Sequence, residues 1–189
     1  MRNTTELRGE ILEAARAEFA QYGLAGARID RIAKTAQASK ERLYAHFGDK
    51  ETLFREVVVA DTADFVRSVP LRPEAIHEFV GDVYDLACRR PEHLRMIDWA
   101  RLEGVNLGEP VLDGRHIPTQ AFAAIEAAQA GGHVDPAWQP FDLIVLLFAI
   151  GLAWAHLPHP DAATDDPAVI AQRRAVAVEA ASRIIATRA

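Results

Sequence analysis

Cysteine is almost absent: the 189 residues include one, Cys88. An intrachain disulfide and a cysteine metal cluster are thereby excluded. Cys88 follows the apolar pattern Phe79, Val80, Val83, Tyr84 and Ala87. That position predicts a buried structural thiol, because a redox sensor needs exposure and a lowered pKa. Long hydrophobic runs are also missing. The longest, Leu143 to Ala155, holds thirteen residues, short of the about 20 that cross a bilayer. The N-terminal residues are polar and charged and carry no signal-peptide pattern. The expectation is a soluble, cytoplasmic protein. Positive charge is not in excess either. The net charge is -6, which argues against a general nucleic-acid coat. Alternating strand patterns, internal repeats and low-complexity tracts are lacking. No phosphate loop, nucleophile motif or paired-carboxylate motif occurs, so neither an enzyme nor a cofactor is expected.

What is present is half apolar. Hydrophobic residues make up 50% of the chain and charged residues 25%, enough for a large core in one or two compact units. The charge is uneven. Residues 1–55 hold ten Lys/Arg and eight Asp/Glu, a balance of +2, which leaves -8 for the remainder. A mildly basic start on an acidic body suits a protein that touches DNA at one end.

Punctuation predicts helices throughout. Leu7, Ile11, Ala15, Phe19 and Tyr22 run at helical spacing, with Gly23 as a C-terminal cap. Asp49 can cap a helix that reaches about Val69, before Pro70 and Pro73. Further helices are expected over 74–89, 92–104, 119–130, 140–157 and 167–187. A looser segment with Gly108, Pro110, Gly114 and Pro118 interrupts them. The fold class is all-α, with about nine helices.

The stretch RIDRIAKTAQASKERLYAHF, Arg28 to Phe47, is the most informative. Ile29, Ile32 and Ala33 share one helix face. Ser39 marks a second helix start, and Leu43 and Phe47 point inward together. At about 100° per residue, the opposite face centres on Glu41 and Ala45, with Arg42 and Tyr44 on its flanks. Ser39 and Lys40 sit at the N-terminal end. This is the layout of a helix-turn-helix, whose second helix enters the major groove.

The run ILEAARAEFAQYGLAGARIDRIAKTAQASKERLYAHFGDKETLF, Ile11 to Phe54, resembles the DNA-binding domain of the tetracycline-repressor (TetR) family. The most specific matches are Ala14-Ala15 with Phe19 and Gly23, and Ile32-Ala33 with Ala36. Ser39-Lys40 with Leu43-Tyr44 and Phe47, and Lys50-Glu51 with Leu53-Phe54, complete them. The resemblance covers the first quarter to third of the chain. It implies a helix-turn-helix domain over 1–48 and a helical effector-binding and dimerisation domain over 49–189. The implied function is a DNA-binding regulator, mostly a repressor in this family. It would bind a palindromic operator as a homodimer and be released by a small, largely apolar effector. Two positions depart from the family. Gln37 stands in the turn where Gly is usual, and a non-glycine residue is strained there by roughly 1 kcal/mol. Arg28 stands where Ser or Thr often caps helix 2.

By position, Lys40, Glu41, Arg42 and Ala45 are the candidates for base contact. Arg and Lys suit guanine edges, and Glu accepts from the cytosine amino group. Tyr44, His46 and Lys50 match backbone-contacting positions, with Arg28 and Ser39 as helpers; such contacts fix register. His46 also fits a packing role against the next helix. Glu41 also fits a solvated charge in a first helical turn.

The helix over 140–157 is apolar nearly all round and must be covered on every side. The body's own core is one cover. A second copy of the chain is the other, and the resemblance implies it. Leu147, Ile150, Trp154, Val176 and Ile184 are the candidate interface residues. Phe79, Tyr84, Met96, Trp99, Phe122 and Phe148 are candidate walls of an effector pocket, although each alone fits a core role better. His156 and His159, with His133 and His116 as helpers, match no strong metal signature, and no metal is expected. The alternatives are an all-helical enzyme and a protein-binding adaptor without sequence-specific DNA binding. An adaptor leaves the Lys40–Tyr44 face without a purpose.

Overall fold

Apolar residues three and four apart build each helix, and proline, glycine and short polar caps end it. The computed structural model describes the backbone of residues 4–105, 111–112 and 115–187, and their side chains except at 111–112 and 115–118. Ten α-helices result among the described residues: α1 Thr4–Gly26, α2 Ile29–Thr35, α3 Lys40–Phe47, α4 Lys50–Ser68 and α5 Ile76–Arg89 come first. They are followed by α6 Pro91–Leu102, α7 Ile117–Ala130, α8 Pro140–Gly151, α9 Ala153–His156 and α10 Pro167–Ile185. The helix expected over 140–157 is thus two, broken at Leu152 (φ -96°, ψ 0°). Strand pairing, unexpected from the sequence, occurs once among the described residues. Val111–Leu112 pairs antiparallel with Arg115–His116 inside the looser segment. Gly108, Pro110 and Gly114 lie outside the described residues, as do the side chains of His116 and Pro118.

The chain divides into two compact units. Residues 1–65 and 91–110 form the first, and residues 66–90 and 111–189 the second. In the first, Ile11 and Phe19 of α1 pack with Ile32 of α2, Leu43 of α3, Phe54 of α4 and Met96 of α6. All six are essentially inaccessible to water. Phe19 and Phe54 meet edge to face with centroids 5.1 Å apart, a favoured aromatic geometry. The helix α1 is interrupted at Gly23 (φ 65°, ψ -177°), where the sequence placed its end, and makes one more short turn to Gly26. Trp99 of α6 lies against this break and donates its indole N–H to the Ala20 carbonyl at 3.3 Å.

In the second unit α5 packs on α8 and α10. Its buried stripe is Ile76, Phe79, Val80, Val83, Tyr84 and Ala87. Close approach to α8 needs Gly151, because a Cβ there would stand 2.7 Å from Val83 Cγ1 and 3.1 Å from the Val80 carbonyl. Arg174 of α10 reaches Glu78 at 3.2 Å and Asp85 at 2.9 Å. Cys88 corrects the sequence reading, since it is exposed. One residue beyond Ala87 turns the side chain by about 100°, off the buried stripe. No helix among the described residues is long and apolar enough to cross a membrane.

Candidate nucleic-acid interface

Helix α2 begins without a cap of its own. Arg28 holds the N-cap position in an extended conformation, and its side chain makes no capping bond. Glu18 of α1 supplies the missing acceptor. Its carboxylate takes the Arg28 N–H at 2.8 Å and the Arg31 Nε–H at 2.8 Å. Glu18 is buried, so the charge is neutralised by Arg31 and the orphan backbone donor is satisfied together. The Arg31 guanidinium also lies 4.3 Å from the centre of the Tyr22 ring, within cation–π range. Sequence reasoning missed Glu18. The available signal was its place on the inward stripe of α1, beside Ala14, Ala15 and Phe19.

The turn closes as a Schellman motif. The Ala38 N–H bonds the Ala33 carbonyl at 2.9 Å and the Gln37 N–H bonds the Lys34 carbonyl at 3.2 Å. Gln37 takes the left-handed position, with φ 50°, and is the one described non-glycine residue with positive φ. Gln37→Gly should therefore raise stability by about 1 kcal/mol and the thermal midpoint by about 2–4 °C. Calorimetry showing an unchanged or lower midpoint would mean the turn carries no such strain.

Helix α3 begins at Ser39, whose hydroxyl accepts the Arg42 N–H at 3.3 Å. Leu43 and Phe47 are buried, while Glu41, Arg42, Tyr44 and Ala45 are exposed. The Arg42 guanidinium has no hydrogen-bond or ion-pair partner among the described residues. Lys40, by contrast, makes an ion pair with Asp30 of α2. Glu41 is held at the helix start: hydrogen bonds from its own N–H and from the Ser39 hydroxyl keep its carboxyl below the usual range. His46 is half-buried with its ring 6.0 Å from that of Phe47. Lys50 donates to the Ala27 carbonyl at 3.4 Å, tying the start of α4 to the chain before α2. Asp49 caps α4 by accepting the Thr52 N–H at 2.6 Å, which lowers the pKa of its carboxyl. The structure thus gathers Arg28, Ser39, Lys40, Arg42 and Tyr44 on α2 and α3, exposed.

Residues 11–57 match the family model described as bacterial regulatory proteins, tetR family. Residues 75–183 match the tetracyclin repressor-like C-terminal domain, over more than half of the chain. The chain belongs to the tetR family. HTH-type transcriptional repressor SCO4008 of Streptomyces coelicolor is 36% identical over 158 residues, 82% of this chain and 80% of that protein. HTH-type transcriptional repressor AcnR of Corynebacterium diphtheriae is 42% identical over 142 residues, 70% of each chain. The crystal structure of SCO4942 from Streptomyces coelicolor, named as a transcriptional regulator, superimposes with a TM-score of 0.81 at 38% identity. It covers 94% of this chain and 97% of that one. As a tetR-family member, this chain is a DNA-binding transcriptional regulator and not an enzyme.

In this tetR regulator the six expected pocket residues fall in two units. Met96 and Trp99 pack in the first unit with α1. Phe79, Tyr84, Phe122 and Phe148 belong to the second. There Phe79 meets Phe148 edge to face at 5.1 Å, and Tyr84 meets Trp154 at 5.5 Å. Phe122 lies 6.3 Å from Phe141. Burial pushes the Tyr84 hydroxyl up to about 12, with a hydrogen bond to Cys88 adding to the shift. Of the expected interface residues, Leu147 is wholly buried within its own unit, and Ile150, Trp154 and Ile184 are half-buried. Val176 is 52% exposed. Among the described residues, no group of three His, Cys, Asp or Glu is placed to hold a metal ion.

Proposed function

We propose that this regulator is a repressor that binds a palindromic operator as a homodimer and is released by a small, largely apolar effector. The observation that carries the DNA-reading part is the exposed Arg42 guanidinium in the first turn of α3, without a partner among the described residues and on the flank of the face opposite the buried Leu43 and Phe47. A bidentate donor there suits a guanine edge in the major groove. Lys40, Glu41 and Ala45 are its neighbours on the reading face. Tyr44, His46, Lys50, Arg28 and Ser39 fix register through phosphates. The names of the relatives, both repressors, support the direction of control.

The homodimer rests on an unpaired apolar surface. Phe141, Val145, Leu146 and Leu157 are exposed along 140–157, and Val176 on α10. A second copy related by a two-fold axis covers such a surface and presents two reading helices about one helical turn of DNA apart. Sedimentation of a monomer at micromolar concentration would remove this part. The effector part rests on the aromatic interior of the second unit, Phe79 with Phe148 and Tyr84 with Trp154. An effector preferring one arrangement of the dimer shifts the population away from the DNA-binding form.

The test is retardation of DNA from the gene's own upstream region, with added salt weakening it. Arg42→Ala should weaken operator binding by about 1–3 kcal/mol, or about 5- to 150-fold, with little change on unrelated DNA. Equal operator affinity in the variant would take Arg42 out of the reading set.

A further inference from the structure

The α2–α3 edge carries two exposed carboxylates among cations, Asp30 on α2 and Glu41 on α3, and Glu41 is already held by the Ser39 hydroxyl. Asp30 sits in the first turn of α2 with its side chain 64% exposed, and Lys40 opens α3 at 53% exposure. Their side chains form an ion pair. Arg28 and Lys34, both exposed, flank Asp30 along α2. An exposed ion pair adds little to stability, so its value in the free protein is small. On DNA the same pair faces a dense array of phosphates, where one anion or one free cation counts for more.

We propose that Asp30 is a specificity-determining residue that acts through Lys40, restraining its ammonium so that it cannot serve as a free phosphate anchor on arbitrary sequence. Non-specific affinity comes from cations that displace counterions from the DNA. A lysine on a flexible stem does this on any duplex. Paired with Asp30, Lys40 can engage a phosphate only by giving up its partner and leaving a carboxylate beside the backbone. On the operator, where Lys40 reaches a base edge from the reading face, the pair is kept and no such penalty falls; on other DNA, which offers Lys40 only phosphates, it does. The pair therefore lowers non-specific binding more than specific binding, a discrimination built from a repulsive element. Arg42, which has no such partner, remains free to read.

This inference rests on the DNA-reading role of α3. The test uses the full chain, a duplex selected by the wild-type protein from a random pool, and a scrambled duplex of the same length. Both are titrated from about 50 to about 200 mM salt. Asp30→Asn should bind scrambled DNA about three- to tenfold more tightly at the low-salt end, with a salt slope steeper by about one. The preference for the selected duplex should fall accordingly. Asp30→Glu, which keeps the pair, should behave as wild type. In a Lys40→Ala background, Asp30→Asn should leave the slope unchanged, a result that a merely structural role for Asp30 does not produce. Unchanged slopes and preference in Asp30→Asn overturn the proposal. So does an equal steepening in the Lys40→Ala background, because Asp30 would then act by its own charge alone. A wild-type protein that selects no sequence from the pool sinks the DNA-reading role itself, before any variant is compared.

Discussion

Arg16→Met should cost about 3–5 kcal/mol of stability at neutral pH, because it strips a buried carboxylate of its cation. The carboxylate is Asp61 of α4, whose side chain is 1% exposed and which the Arg16 Nε of α1 meets at 2.5 Å. His93 of α6 stands near, with Nδ1 3.8 Å from Asp61 Oδ1. The other oxygen, Asp61 Oδ2, is buried without a hydrogen-bond donor. Arg16 keeps outer partners, Glu13 and Asp64, but Asp61 faces inward. Methionine fills most of the arginine's volume, so the loss is electrostatic rather than a cavity.

The pH dependence identifies the cause. Burial raises the Asp61 carboxyl above its ordinary value of 3.8, against the opposing pull of Arg16 and His93. A folded pKa above the unfolded one means that the group's contribution is fully present below the unfolded pKa. It is lost as pH rises through the folded value. Removing Arg16 takes away the larger opposing pull and widens that window upward. The deficit of Arg16→Met relative to wild type should thus be smallest in acid and grow toward neutral pH. Urea midpoints across pH measure it. Adding Asp61→Asn should restore much of the loss at neutral pH, since no buried charge then remains. A deficit constant with pH, or one untouched by Asp61→Asn, would rule out an orphaned carboxylate.

Asp61 and His93 also show where sequence reading stops. The helices α1 to α4 were legible because each buries a stripe with its own spacing and ends at its own cap or glycine. The reading face of α3 followed from Leu43 and Phe47, since fixing the inward side of a helix fixes the outward one. Spacing says nothing of which unit a helix serves. Met96 and Trp99 have the same apolar pattern as Phe79 and Phe148, yet they pack beside α1, and Trp99 bonds a carbonyl 79 residues away. Partners that distant leave no periodic trace. Glu18, Asp30 and Asp61 were passed over for a related reason: a carboxylate gains its role from the cation opposite, and Arg31, Lys40 and Arg16 lie on other helices or a turn away. Gln37 was legible in the other direction, because an absent glycine pointed to the left-handed turn that the structure contains.

Gly23→Ala should be the other severely destabilising substitution, at about 3–5 kcal/mol. Two independent costs meet at one atom. The backbone at φ 65° and ψ -177° lies in a region essentially reserved for glycine, which costs a Cβ-bearing residue of order 1–3 kcal/mol. The added Cβ would also stand 2.8 Å from Trp99 Cζ3 and 2.9 Å from Cε3 and Cη2, and overpacking of that kind costs about 1–3 kcal/mol. The ring cannot retreat cheaply, because its N–H holds the Ala20 carbonyl. The two costs separate in a double-mutant cycle. Trp99→Leu alone loses packing, but in the Gly23→Ala background it removes the clash, so the pair should cost less than the sum of the single changes. What remains after that relief is the backbone strain. Trp99 emission should shift to the red in Gly23→Ala as the indole is pushed outward. Operator binding should weaken too, since residues 24–28 lead from this break into α2. Additive costs, with Trp99 emission as in wild type, would show that the ring and the glycine do not oppose each other, and that the strain at Gly23 is purely of the backbone.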